Sequence, residues 1–358
     1  MGLLELLGAL GRSLAPSLPV LAWLTLLLVL LAFGLALLAL GYRAQARRRM
    51  ERRQRLAAEW DPRIVEALFA GDETAPFLVA DEDRLPFVGN LLRFARRLAG
   101  EDRERVRRLA LPFLPEVAAR AQRRSPAVRA RAVQTLGELG WPEYRAEIVR
   151  GLDDESPLVT MMAVQTLARP ASVEHMPDVL QRLPRLTDWT PRFLASTLAA
   201  GGPEAAPALR AALADPTHDA WVRSAVAEAL RQLNDFGSAD VAADVLELEV
   251  DREVVAATLR LLGQVGNSDH LDVVTRRTSD PDFVVRVAAA DALSALGGPE
   301  ELERLKSMVY EDPSQWVALR AARSLLQAGW RAELRALALS SHPRAAIGSQ
   351  VLAEGSPR

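Results

Sequence analysis

The chain has 358 residues, no cysteine and a net charge of −2, and only 5% of its residues are aromatic. The lack of cysteine excludes disulfide bonds and thiolate catalysis. A nearly neutral chain does not predict a nucleic-acid-binding surface, which requires a basic stripe. Since 49% of the residues are hydrophobic, leucine, alanine and valine must supply the core, as they do in closely stacked helices.

The first strong feature along the chain is an apolar segment. No charged residue occurs from Ser13 to Tyr42, and residues 20–40 are mostly leucine, alanine and valine. As a helix, this run spans about 30 Å, which matches the hydrocarbon core of a bilayer. We therefore predict a transmembrane helix at residues 18–42, preceded by a short extracytoplasmic N-terminus at residues 1–17.

A cleaved signal peptide is the alternative explanation of this segment. The apolar run is longer than that of a signal peptide, and the residues before Gly11 include Glu5 and no basic residue. Trp23 and Tyr42 stand near the two ends of the run, where amphipathic rings favour the headgroup region. These observations favour a retained membrane anchor.

The charges on the two sides of the segment predict its orientation. Only Arg12 precedes it, whereas a predicted juxtamembrane helix at residues 43–58 contains Arg43, Arg47, Arg48, Arg49, Arg52, Arg53 and Arg55. Arginines close to a membrane span stay in the cytoplasm. We therefore predict a single-pass protein of the inner (cytoplasmic) membrane, with its N-terminus outside. The same arginines can contact anionic lipid headgroups, a role that stays open beside that of a topology signal.

The chain beyond this region is acidic. Residues 1–62 hold eight arginines and four acidic residues, a net charge of +4, which leaves −6 for residues 63–358. This balance argues against nucleic acid as a partner. Residues 59–114 have helical periodicity outside the repeat pattern described next, and they include an acidic loop. We predict that they form a helical N-terminal cap over the first repeat.

From residue 115 onward the chain is built from repeats. Leucines recur every 31 or 32 residues, which indicates one helical unit copied along the chain. The column consists of Leu136, Leu167, Leu198, Leu230, Leu262, Leu293 and Leu325. Apolar or small residues stand eight and four residues before each leucine and three after most of them, so they share one face of a helix. We expect this face to be buried.

Turn residues mark both ends of the repeated helix. A Ser-Pro or Asp-Pro pair precedes it at Ser125-Pro126, Ser156-Pro157, Asp215-Pro216, Asp280-Pro281 and Asp312-Pro313. Four residues after the leucines stand Gly140, Ala171, Gly202, Asn234, Gly266, Gly297 and Gly329. Because glycine or asparagine directly after a helix favours a left-handed cap, we predict that conformation at these positions.

The repeated pattern is a proline turn, then Val-Arg, a small residue, the leucine and a final glycine, and it resembles HEAT repeats, in particular the short bacterial type. The resemblance covers residues 115–358. It implies an all-α fold, a right-handed α-solenoid of paired antiparallel helices that follows the transmembrane helix. In HEAT repeats, aspartates and arginines of successive units tend to form a ladder, so Arg129, Arg223 and Arg286 are expected to be structural.

HEAT-like folds also include enzymes, whose characteristic residues can be sought. The chain has four histidines, which lie in separate units without metal-ligand spacing: His175, His218, His270 and His342. It contains neither a glycine-rich phosphate loop nor a G-x-S-x-G motif. We therefore predict no catalytic, cofactor-binding or metal-binding residue. Bilin lyases share the repeat type, so a tethered HEAT-like enzyme such as a lyase is the alternative.

One column departs from the structural pattern. Nine residues before the leucines stand Ala127, Leu158, Trp189, Trp221, Glu253, Val284 and Trp316. Tryptophan is enriched at the energetic centres of interfaces. Trp189, Trp221 and Trp316 are thus the candidate partner-binding residues, and the alternative is that each ring covers the gap between two repeats.

These patterns together predict a membrane-anchored cytoplasmic scaffold or adaptor whose solenoid binds a protein partner that is itself associated with the membrane. Resemblance to anchored bacterial HEAT-like proteins implies an accessory subunit of an envelope or polysaccharide-synthesis complex. No cofactor is expected. The sequence does not predict an oligomeric state.

Overall fold

The computed structural model describes residues 17–70 and 77–355, which contain helices and no strand. Residues 1–16 of the predicted extracytoplasmic N-terminus, and Gly71, Asp72 and Glu73 of the predicted acidic loop, lie outside the described residues. The chain divides into two compact units, residues 1–113 and 114–358.

The first unit begins with one long helix, α1 (Ser17–Ala70). Its stretch Thr25–Arg43 is long and apolar enough to cross a membrane, and no other part of residues 17–70 and 77–355 buries it. The boundaries predicted after residues 42 and 58 both fall inside this helix, which also continues past Pro62. A proline inside a helix costs about 3 kcal/mol, which the burial of Trp60 beside it helps to offset.

Two shorter helices pack on the C-terminal part of α1, namely α2 (Arg84–Ala95) and α3 (Gly100–Ala110). The contact centres on Phe87, which is fully buried. Its ring centroid lies 5.1 Å from that of Trp60 and 5.1 Å from that of Phe113. The C-terminal part of α1 thus belongs to the core of the first unit, while its N-terminal part is exposed.

The second unit consists of paired helices, in which each leucine of the column lies on the second helix of its pair. The second helices are α5 (Pro126–Leu139), α7 (Pro157–Leu167), α9 (Pro191–Ala199), α11 (Ala220–Leu233), α13 (Arg252–Val265), α15 (Phe283–Leu296), α17 (Gln315–Gln327) and, in a final incomplete repeat, α19 (Ala345–Glu354).

The first helices of the pairs are shorter in most repeats. They are α4 (Leu114–Arg120), α6 (Arg145–Arg150), α8 (Met176–Arg182), α10 (Ala206–Ala214), α12 (Ala239–Leu248), α14 (Leu271–Arg277), α16 (Pro299–Glu311) and α18 (Arg331–Leu339). Short 3-10 turns occupy Asp81–Asp83, Leu111–Phe113, Gly151–Asp153, Pro170–His175, Leu183–Leu186, Pro203–Ala205, Phe236–Ser238 and Ser268–His270.

The core of the second unit follows the leucine column. All seven leucines are buried, and so is every residue four positions before them. Consecutive second helices pack directly on one another along the unit, with the smallest contact between α7 and α9. The predicted buried face is therefore confirmed for these two columns, and with it the predicted stack of paired helices. It is wrong at Thr190, eight residues before its leucine, and at Pro170 and Ala328, three residues after theirs, because these residues are exposed.

Glycines allow some second helices to approach closely. A Cβ on Gly263 of α13 would lie 2.8 Å from the Ala292 Cα of α15, and one on Gly137 of α5 would lie 2.1 Å from the Thr166 Cγ2 of α7. Real Cβ atoms are not found at such distances from a backbone carbon, so Gly263 and Ala292 bring two helix backbones into contact.

Of the seven positions predicted to be left-handed caps, Asn234 has that conformation, with a ψ of 44°, whereas Gly202 does not, because its ψ is −170°. Positive φ angles of 72°, 55° and 88° occur at Gly202, Asn234 and Gly329. The prediction is wrong at Ala171, which lies in a 3-10 turn, and at Gly140, Gly266 and Gly297, where φ is −113°, −78° and −85°. Glycine is needed there for space, because a Cβ on Gly266 would lie 2.6 Å from the Leu262 carbonyl oxygen.

Arginines of one repeat hold the loop of the next, as expected for the arginine ladder. In the clearest case, the Nε and Nη2 atoms of Arg286 donate to the two Asp312 carboxylate oxygens over 2.7 and 3.0 Å. Asp312 also accepts from the backbone N–H of Ser314, 2.8 Å away. The equivalent pairs are Arg129–Asp154 and Arg223–Glu249. These arginines are structural, as predicted.

Each of these three loops also receives an arginine from the following repeat. These arginines donate hydrogen bonds to main-chain carbonyl oxygens of the loop. Arg185 donates to those of Leu152 and Asp154, Arg277 to those of Leu246 and Glu249, and Arg344 to those of Val309 and Asp312. The loop between the two helices of a repeat is thus held from both sides, which fixes each repeat relative to its neighbours.

The carboxylates of this ladder make stability depend on pH. Burial disfavours the charged form of Asp154, but hydrogen bonds from Arg129 and the Ser156 N–H outweigh burial and lower its pKa below 3.8. Burial also disfavours the charged form of Glu249, yet the Asp251 N–H and the charge of Arg223 lower its pKa below 4.5. Because both pKa values are lower in the folded than in the unfolded state, this stabilisation is complete above pH 4.5 and is lost as the pH falls through the folded values.

We predict that the melting temperature falls between about pH 5 and about pH 3, and that it falls less steeply in an Asp154→Asn, Glu249→Gln double variant. Thermal unfolding followed by circular dichroism across this range measures both slopes. Parallel curves for the two proteins would show that these carboxylates do not cause the acid sensitivity.

Candidate partner-binding groove

The second helices of the second unit form a groove of about 760 Å³. Its lining comes from α9, α11, α13, α15 and α17 and from no first helix. The bottom is made of small residues, Ala256, Ala257 and Gly263 on α13 and Ala292 on α15. Their short side chains leave space above the helix backbones, at the place where α13 and α15 are in closest contact.

Charged side chains line the groove above this bottom. Arg231 donates to Glu228 over 2.7 Å and to the Gln264 side chain over 3.0 Å, so it connects α11 to α13. Arg320 donates to Asp291 over 2.6 Å and connects α17 to α15. The hydrogen bond from Arg231 lowers the pKa of Glu228, which is therefore ionised at neutral pH.

Arg260 lies between these two pairs and differs from them. It belongs to α13, and within the described residues its guanidinium has neither a hydrogen bond nor an ion pair. Loss of hydration inside the groove lowers the pKa of Arg260, and the charge of Arg231 acts in the same direction. Glu228 and Asp291 oppose that effect only through longer-range attraction. Arg260 is therefore an arginine of the groove whose charge has no direct partner among the described residues.

The three tryptophans predicted to bind a partner have different environments. Trp316 is 69% exposed, whereas Trp189 and Trp221 are half-buried. The Trp189 ring stacks on Phe193 of its own repeat, with centroids 5.1 Å apart, and has no ring contact with Trp221. The structure thus leaves Trp316 most accessible to a partner, and their role in binding stays a prediction.

The tryptophan column lies beside the groove. Glu253 and Val284, which occupy the same repeat position as the tryptophans, line it directly, and so does Thr190, the neighbour of Trp189. Val284 and Phe283 are also exposed. The exposed side chain of Val284 thus lines the groove, Trp189 adjoins the lining residue Thr190, and Trp316 lies one helical turn before the lining residue Arg320.

The arginines predicted to contact lipid headgroups all lie on α1. Arg43 and Arg55 are exposed, and the nearest ion-pair partner of Arg55 is Glu51, 3.9 Å away. The side chains of Arg47, Arg48, Arg49, Arg52 and Arg53 lie outside the described residues. Their lipid contact and their role in topology remain predictions.

Three of the four histidines have contacts within the second unit. His175 lies 3.1 Å from Asp178, His270 accepts from the Asn267 N–H over 3.1 Å, and the His342 ring meets Tyr310. In residues 17–70 and 77–355, no group of three or more histidine, aspartate or glutamate side chains could hold a metal ion.

The sequence contains a signal for the groove that the analysis of apolar columns missed. Two residues before the leucines stand Gln134, Gln165, Ser196, Glu228, Arg260, Asp291 and Arg323, all of them polar. An offset of two residues turns a helix by about 200°, so this column lies opposite the buried leucines. It identifies the polar face of the second helices, although it does not indicate which charges are paired.

Comparison with known proteins assigns the repeats. The family model described as HEAT repeats matches residues 114–200 and 244–326. The second unit therefore contains HEAT repeats, which confirms the predicted all-α solenoid. No curated protein sequence matches the chain.

Several solved structures resemble the chain in part. The complex of CpcE and CpcF of phycocyanin lyase from Nostoc sp. PCC7120 is 21% identical, covers 68% of this chain and 88% of its own, and has a TM-score of 0.33. Human deoxyhypusine hydroxylase is 18% identical, covers 70% of this chain and 98% of its own, and has a TM-score of 0.31. The karyopherin Kap121p bound to the extreme C-terminus of the protein phosphatase Cdc14p is 12% identical and has a TM-score of 0.38. The match covers 81% of this chain and 43% of the karyopherin, so the chain spans less than half of that protein.

We predict that substitution of a ladder arginine lowers the free energy of unfolding much more than substitution of Arg260 in the groove. Arg286→Gln leaves the buried Asp312 carboxylate without its partner and should cost about 3 kcal/mol of unfolding free energy. Arg260→Gln breaks no hydrogen bond or ion pair among the described residues and replaces an exposed side chain, so the change should stay within about 0.5 kcal/mol. Urea denaturation of the two variants measures this difference, and equal losses would contradict the distinction.

Proposed function

We propose that the protein is a membrane-anchored scaffold whose HEAT repeats bind a membrane-associated protein partner on the cytoplasmic side. The single-pass orientation, with the N-terminus outside, is part of this proposal. We further propose that it acts without catalysis or cofactor, as an accessory subunit of an envelope complex such as one that synthesises a polysaccharide.

The exposed apolar part of α1 supports the anchor. Burying Thr25–Arg43 in lipid would remove from water a large apolar surface that none of the other described residues covers. About 17 helical residues, or about 25 Å, separate Arg43 from Trp60 in the core of the first unit. The helix would therefore hold that core at a defined distance from the bilayer.

The groove and the exposed apolar side chains beside it carry the proposal of partner binding. A surface with an exposed tryptophan and a partly unpaired charged groove has the anatomy of a protein interface, in which aromatic anchors contribute most energy and polar groups give specificity. The net charge of −6 beyond residue 62 favours a protein over a nucleic acid.

The orientation can be tested by cysteine labelling, because the chain has no cysteine of its own. We predict that a membrane-impermeant maleimide labels a Gly2→Cys variant in spheroplasts, and a Ser349→Cys variant only after lysis. Ser349 is exposed on α19. Labelling of both before lysis, or recovery of the protein in the soluble fraction, would contradict the anchor.

Partner binding can be tested by photo-crosslinking in the native membrane. We predict that p-benzoylphenylalanine at position 316 captures one membrane protein, whereas the same probe at Arg335, exposed on the first helix α18, does not. Trp189→Ala should reduce the yield several-fold, since loss of a central anchor costs about 2 kcal/mol or more.

Unchanged thermal stability of each variant is the control for this comparison. Equal capture from both positions would show that the second-helix face is not the binding surface. Failure to capture any protein from position 316 would contradict the scaffold proposal.

A further inference from the structure

The charges in the groove are unequally matched. Four arginines and three acidic residues line it, and two of those arginines are neutralised by the pairs Arg231–Glu228 and Arg320–Asp291. Arg192, at the start of α9, and Arg260 remain without an ion pair among the described residues. Glu253 is the acidic side chain of the lining that has no ion pair.

The position of Arg260 favours an anionic ligand. Arg260 lines the groove together with the small residues of α13 and α15, namely Ala256, Ala257, Gly263 and Ala292. A guanidinium presents several N–H donors in a fork that matches a carboxylate. Because Arg260 is exposed and has no hydrogen bond or ion pair among the described residues, an incoming carboxylate would gain a hydrogen-bonded contact without first breaking an existing one.

The surrounding carboxylates limit what kind of anion can enter. Glu228, Glu253 and Asp291 line the same groove, so a polyanion such as nucleic acid, with a charge every few ångströms, would be repelled. A peptide that presents single carboxylates between neutral residues avoids this repulsion. Its apolar side chains would also meet Val284 and the neighbouring tryptophans.

We propose that the groove binds an extended acidic segment of the partner protein, with one aspartate or glutamate of that segment on Arg260 and apolar residues on Trp189 and Val284. Arg192, the other arginine of the lining without an ion pair, is the candidate contact for a second acidic residue. The proposal rests on the scaffold function, because it specifies the chemistry by which the partner is recognised.

The test uses a phage library of random ten-residue peptides selected on the full chain in mild detergent. Selected peptides should share an aspartate or glutamate flanked by apolar residues. Affinity of the best peptide, measured by fluorescence anisotropy, should fall about tenfold or more in Arg260→Gln, the equivalent of losing a charge-assisted hydrogen bond. It should be unchanged in Arg335→Gln, an exposed arginine on a first helix.

A double-mutant cycle identifies the contact. Replacing the acidic residue of the peptide by its amide should weaken binding to the native chain and have little effect on Arg260→Gln. Arg260→Lys, which keeps the charge and loses the fork, should retain part of the affinity. Melting curves of the variants exclude unfolding as the cause.

Three results would overturn the proposal. The first is that the library yields no enriched peptide, or only peptides without acidic residues. The second is that Arg260→Gln leaves the affinity of the best peptide unchanged. The third is that a single-stranded oligonucleotide competes more strongly than the acidic peptide. If photo-crosslinking from position 316 succeeds while the peptides do not depend on Arg260, the scaffold function stands and the acidic-segment proposal fails. If crosslinking fails as well, both fail.

Discussion

Close packing between consecutive second helices is the constraint on which the rest of the second unit depends. The leucine column is fully buried between these helices, and at Gly263 and Ala292 two backbones come into contact. Since each repeat can bury its apolar face only against a neighbour, the repeats must stack in one order and at one spacing. Two surfaces follow from this arrangement, a row of loops at one end of the helices and a row of polar side chains opposite the leucines.

Arginine has a different task on each of these surfaces. In the loops it is paired and partly buried, as Arg286 is with Asp312, and it joins one repeat to the next. In the groove Arg231 and Arg320 are paired as well, but Arg192 and Arg260 have no ion pair among the described residues. An exposed cation without an ion pair adds little to the stability of the folded chain, which leaves Arg260 available for binding.

The sequence was sufficient for the buried face of the repeats and for the structural arginines, because periodicity and burial are directly linked. It was misleading at the helix ends, where Gly266 and Gly297 serve close approach and not a left-handed turn. Continuity of α1 past Pro62 was missed because local propensity does not include the packing of Trp60. The groove was partly visible as a polar column, but which of its charges are unpaired depends on distances between repeats that one sequence does not contain.

The account claims that one face of the HEAT repeats, made of second helices, is the binding surface. Hydrogen–deuterium exchange of the full chain, alone and in complex with the membrane protein captured from its native membrane, tests this claim most directly. The account predicts that binding slows exchange in peptides from α11, α13 and α15, while those from α10, α12 and α14 exchange as before. Protection confined to the first helices would contradict it.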